Sequence, residues 1–161
     1  MIEMSLVGVR VELPANQPIV LLKERSGDRY LPIWVGTAEA TAIAFALQGV
    51  TPPRPMTHDL FRNVLDEIGI SVDQIVITEL KEGTFFAVIR MSRNGSSYEV
   101  SSRPSDAIAL AVRSETPIFA NEEVLGEASI FVQDDEEQEV ERFRQFLENV
   151  NPEDFTEGSE S

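Results

Sequence analysis

LPIWVGTAEATAIAFALQGVTPPRPMTHDL, residues 31–60, holds the only Trp, the only His and four of the nine prolines. It reads as a strand, a helix, a stiff connector and the mouth of a second helix. The apolar run 30–35 predicts the strand. Gly36-Thr37 closes it, with Thr37 expected as N-cap and Glu39 in the first turn, where the helix dipole favours an acid. Residues 38–48 hold five alanines with Ile43, Phe45 and Leu47, and no charge after Glu39. A helix apolar all round is buried on more than one side, in a core or an oligomer interface. Gly49 ends it. Pro52, Pro53 and Pro55 then forbid helix. Thr57 is the expected N-cap of the next helix, with Asp59 in its first turn. Leu60, Phe61, Val64, Leu65 and Ile68 follow at helical spacing until Gly69.

Outward from this stretch the chain alternates strands and helices. Val7, Val9, Val11 and Leu13 share one face of a half-buried strand over 6–13. Residues 19–22 make a second, joined to 30–35 by the Arg25-Ser26-Gly27-Asp28 turn. Beyond Gly69, strands are expected over 72–80 and 84–91. Asn94-Gly95 then marks a type I′ hairpin into 97–100. Pro104 opens a helix over 104–114 with Ser105 and Asp106 in its first turn. Short strands are expected at 118–119 and 130–132. Each half thus has three strands and an alanine-rich helix, and Ala42-Ile43-Ala44 matches Ala107-Ile108-Ala109. The reading is an α/β (α+β) domain over 1–132. It has a mixed, largely antiparallel sheet with packed helices, built on a duplicated βββα unit. An acidic amphipathic helix is expected over 133–150 and a disordered tail over 151–161.

The formal net charge is −15. Residues 134–161 contribute eleven acids against Arg142 and Arg144, leaving −6 for the remainder. With two lysines and no basic run, the chain lacks the electrostatic footprint of a phosphate-tracking protein. Nucleic-acid binding would need a local arginine cluster or a bound cation. The absence of Cys excludes disulfides, thiol catalysis and thiolate metal sites. No apolar run suits a membrane span and no leader is evident, so the expected location is cytoplasmic.

Rare polar residues cluster where chemistry is conceivable. Glu39, Asp59 and Asp106 each begin a helix, and together would suit Mg²⁺ or another divalent cation through oxygen ligands. His58 could move a proton, and Arg54 or Arg103 could hold a phosphate. The competing reading makes the acids helix caps and the arginines their partners, leaving a non-catalytic oligomeric binding or regulatory module.

Five ordered blocks carry a resemblance: LPIWVG (31–36), EATAIAFAL (39–47), PRPMTHDL (53–60), GTFFA (83–87) and SRPSDAIALAVR (102–113). They are similar to the bifunctional nuclease domain family, over about residues 5–132. The resemblance implies a nuclease acting on RNA and DNA. In that reading His58, Asp59 and Asp106 are catalytic, and Glu39, Asp59 and Asp106 bind the metal. Arg54, Thr57, Arg103 and Ser105 contact the substrate, single-stranded RNA or DNA. A homodimer is expected, as is a protein partner for the acidic tail.

Overall fold

The computed structural model describes residues 1–12 and 16–131. The expected helix over 133–150 and the tail 151–161 lie outside them. The element order is β1 (Ile2–Glu12), β2 (Gln17–Glu24), β3 (Arg29–Trp34), α1 (Thr37–Leu47) and α2 (Thr57–Glu67). Next come β4 (Ser71–Lys81), β5 (Thr84–Arg93), β6 (Ser96–Ser102) and α3 (Pro104–Ser114). The described chain closes with β7 (Ile118–Ala120), α4 (Glu122–Ala128) and β8 (Ile130–Phe131).

The strands form one sheet in the order β6-β5-β4-β7-β1-β2-β3-β8. Every pairing is antiparallel except β4 with β7. Each expected βββα unit is therefore a meander occupying its own half of the sheet. β7 enters between β1 and β4, antiparallel to the first and parallel to the second. The two units consequently run in opposite senses, as an internal two-fold normal to the sheet would require. β4 sits near the middle, and Ile75, Val76 and Ile77 are consecutively buried there. Alternation fails at that point because the strand is covered on both faces.

Turn chemistry fixes the registers. Asn94 (φ 49°) and Gly95 (φ 83°) make the type I′ turn between β5 and β6. Glu82 (φ 51°) and Gly83 (φ 78°) do the same between β4 and β5. Positive φ at both central residues matches the strand twist, which is why the second position is Gly.

α1 is buried from Ala40 to Ala44 because it packs on β1 and β2 from one side and on α3 from the other. α3 packs on β4 and β5 in the same way. Alanines at 40, 42, 44, 107, 109 and 111 let the two helices approach, while Ile43 and Ile108 are fully enclosed. α2 packs on α3 through Leu65 and Phe61. The short α4 was not expected from the sequence. Its buried Val124 and Leu125 stand on about two turns of acid-rich chain, too short to generate a helical period. Among the described residues no helix is long and apolar enough to cross a membrane.

Candidate functional site

α1, α2 and α3 follow extended N-caps at Gly36, Met56 and Arg103. Two expectations are corrected here. Thr37 and Thr57 lie one residue inside their helices, because the first helical hydrogen bonds return to Gly36 O and Met56 O. In each helix the third residue is acidic: Glu39, Asp59 and Asp106. Among the described residues, the N-cap positions Gly36 and Arg103 place no side-chain capping hydrogen bond on α1 or α3.

A chain of contacts joins the three helix starts. His58 Nε2 lies 2.8 Å from Asp106 Oδ1, and the imidazole is largely buried. Arg103 Nε and Nη2 donate to Asp106 Oδ2 at 2.9 and 2.8 Å. The same Nη2 lies 3.5 Å from Glu39 Oε2. Glu39 folds over the start of its own helix, and a Cβ at Gly36 would collide with its Oε1. Arg103, 64% exposed, is the accessible member of the set. The hydrogen bonds to Asp106, then the charges of Asp106 and Glu39, hold its guanidinium above its usual pKa. It stays a cation throughout the accessible range.

Asp59 turns elsewhere. Arg113 Nε donates to Asp59 Oδ1 at 2.6 Å, while Nη1 and Nη2 donate to Ala109 O and Ala42 O, both at 2.9 Å. The other oxygen, Oδ2, accepts the Met56 N–H at 3.0 Å. Burial pushes the Asp59 carboxyl up, but Arg113 and the Met56 amide outweigh it, so its pKa lies below the ordinary value. Arg113, 8% exposed, thereby clamps α1, α2 and α3 together. Asp106 and Arg113 are seven residues apart on one face of α3. They take up the adjacent residues His58 and Asp59.

The expected metal set of Glu39, Asp59 and Asp106 does not assemble. Arg103 lies between the first and third, and Arg113 holds the second. Among the described residues no group of three His, Asp or Glu side chains is arranged to hold a metal ion. Arg54 and Thr57 are exposed beside the proline connector, and Ser105 is buried in the first turn of α3. A groove of about 450 Å³ lies at the opposite end of α1 and α3, among Leu47, Val112 and Pro117. It contains no candidate site residue.

The family model for the bifunctional nuclease domain matches residues 20–133. The chain belongs to the bifunctional nuclease domain family. An uncharacterized protein of Mycobacterium tuberculosis is 48% identical over 162 residues, covering 95% of this chain and 97% of its own. Bifunctional nuclease 1 of Arabidopsis thaliana is 32% identical over 111 residues, 66% of this chain and 34% of its own. Bifunctional nuclease 1 of Oryza sativa subsp. japonica is 29% identical over 112 residues, 68% of this chain and 34% of its own. This chain thus spans about a third of the plant proteins' length.

Within this bifunctional nuclease domain, sequence reasoning missed Arg113. Its signal was a lone cation in the last turn of an otherwise apolar helix, which must find acceptors wherever that helix is buried.

Proposed function

We propose that this chain hydrolyses phosphodiester bonds of RNA and DNA, with His58 as the proton-transfer group. The observation that supports the reading most is the Glu39–Arg103–Asp106–His58 network at the joined starts of three helices. Asp106, held by Arg103, is an acceptor. A neutral His58 therefore carries its proton on Nε2 and keeps a lone pair on Nδ1. That lone pair can take a proton from water as its oxygen bonds to phosphorus. The imidazolium can return the proton to the departing sugar oxygen as the P–O bond breaks. Arg103 and Arg54 can meet the non-bridging oxygens, helped by helix N-termini.

The carboxylates as arranged do not fit a divalent ion, since Arg103 stands between Glu39 and Asp106 and Arg113 takes Asp59. Cleavage of single-stranded RNA and DNA by the purified chain, with Mg²⁺ and with chelator, tests the dependence. His58→Ala should lower the rate by about 10²–10⁴-fold. Undiminished cleavage in that variant overturns the assignment, and no wild-type cleavage overturns the nuclease reading.

One observation favours the second reading, a non-catalytic interaction module. Leu60, Val64 and Ile68 form a half-exposed stripe along α2. A native mass above the monomer, lost when the three are replaced by polar residues, would support it.

A further inference from the structure

β6 forms one edge of the sheet and, among the described residues, pairs with β5 alone. Its register against β5 runs unbroken from Ser96 to Ser102, without a bulge. Edge strands are ordinarily blunted by shortness, lysine, proline or a bulge, because their outer N–H and C=O groups invite another strand. β6 has seven residues and none of these devices. The opposite edge strand, β8, pairs through only two residues. Side chains point the same way. Ser96 to Ser101 are exposed on both faces of the sheet. Tyr98 stands beside Met91 and Val72, and Val100 beside Ile89 and Ile75, so two apolar rows cross β4 and β5 to the edge. Ile75, Ile89 and Met91 lie in the core, where α3 packs on β4 and β5. Tyr98 and Val100, at 48% and 46% exposure, are the uncovered ends of those rows.

We propose that β6 pairs antiparallel with β6 of a second copy of this chain, with Glu99 on the two-fold axis, making one continuous sheet. Such an axis is normal to the sheet, so residues facing each other across it must share a face and differ by an even number. The strand Ser-Ser-Tyr-Glu-Val-Ser-Ser reads alike in both directions about Glu99, apart from the exchange of Tyr98 and Val100. On that axis all seven residues pair. Tyr98 meets the partner's Val100 twice over, an aromatic and β-branched pairing that favours adjacent strands. The four side chains then cover one another on the helix side of the sheet. An axis at residue 98 or 100 would instead set Val100 or Tyr98 against a serine and shorten the overlap. Glu99 facing its own copy is the one unfavourable pair. Arg90 Nε donates to each Glu99 carboxylate at 2.9 Å and supplies the opposing charge. The partner's Ser96 lies opposite Ser102, so the interface ends one residue short of Arg103 and its contacts with Asp106 and Glu39.

Sedimentation equilibrium of the full chain over a range of concentrations should give a dimer. Tyr98→Lys/Val100→Lys removes both apolar pairs and sets like charges across the axis. It should weaken dimerisation about 10- to 100-fold while circular dichroism stays unchanged, since both positions are exposed. The register has its own test, because the chain holds no cysteine. On the axis, Glu99→Cys brings two thiols together across strands whose Cα atoms are about 4.5–5.5 Å apart, within disulfide reach. Mild oxidation should link that variant into a covalent dimer. Ser97→Cys lies four residues out of register with its own copy, roughly 13 Å along the strand, and should stay unlinked. A monomer at every concentration overturns the proposal, whether another protein or residues 132–161 take the edge. Equal linking of the two cysteine variants overturns it as well. So does a dimer that survives Tyr98→Lys/Val100→Lys and is lost when Leu60, Val64 and Ile68 of α2 are made polar.

Discussion

Asp59→Ala separates a structural acid from a catalytic one. Its carboxylate accepts a 2.6 Å hydrogen bond from Arg113, a side chain only 8% exposed, and also caps the Met56 N–H. Removing one partner of a buried pair costs about 3–5 kcal/mol, because the remaining charge is left uncompensated. Asp59 is itself 20% exposed, so water reaches the vacancy. Arg113 also retains Ala42 O and Ala109 O. These place the loss at the lower end, about 3 kcal/mol, which lowers the melting temperature by roughly 9 °C for a chain of this size. The pH dependence has a definite sign. The folded pKa of Asp59 lies below the ordinary value of 3.8, so its stabilisation is fully present above that value. It is lost as pH falls through the folded pKa. Wild type and Asp59→Ala should therefore differ most near neutrality and converge below about pH 4. Thermal melts across pH measure this, and Asp59→Ala/Arg113→Met should regain part of the loss. Cleavage by Asp59→Ala, assayed well below its melting point, should stay within a few-fold of wild type. A melting shift under about 2 °C, or cleavage lost in a folded variant, refutes the clamp.

Asp106→Asn should reduce cleavage by about 100-fold with little change in melting, since it unsettles the His58 tautomer and leaves the core intact. Steady-state rates and a melt on the same sample check it. Arg29 forms hydrogen bonds with Glu24 and Glu122 and holds both carboxyl groups below their ordinary pKa. Their contribution is present above the ordinary value of 4.5 and lost as pH falls, so Arg29→Ala should flatten the acid limb of the melting profile. Gly36→Ala should displace Glu39 from its seat, since the new Cβ meets Glu39 Oε1. The Arg103 side-chain NMR signal should move while melting changes by less than about 2 °C, as φ −76° suits Ala. Gly95→Ala, at φ 83°, should cost about 1 kcal/mol, read as a melting shift.

The fold was legible wherever one force dominated. Asn94-Gly95 and the alanine-rich helices allow few alternatives, so the meanders and buried α1 follow from local pattern. The entry of β7 between β1 and β4 was not legible, because three residues carry no register information and their partners are distant in sequence. In the site, first-turn acids were visible at all three helices, but their partners were not. His58 and Asp59 are adjacent in sequence and project to different parts of α3. Only the crossing of α2 over α3 decides that Asp106 takes one and Arg113 the other. Acids at equivalent helix positions looked like one ligand set for the same reason. Periodicity gives the face of a helix and leaves the neighbour opposite that face undetermined.

The charge distribution bears on how such a site could hold nucleic acid at all. Of the net −15, the stretch 134–161 carries −9, beyond the residues 20–133 that the family model matches. Locally, Arg54 and Arg103 offset Glu39 and Asp106. The starts of α1, α2 and α3 each add about half a positive charge. The site is thus near neutral to weakly positive, in a protein whose far field repels phosphate. Counterion release, which scales with the number of lysine and arginine contacts, supplies little affinity here. Binding must then draw on contacts that are short in range and indifferent to net charge, and stacking is the strongest of these available to a single strand.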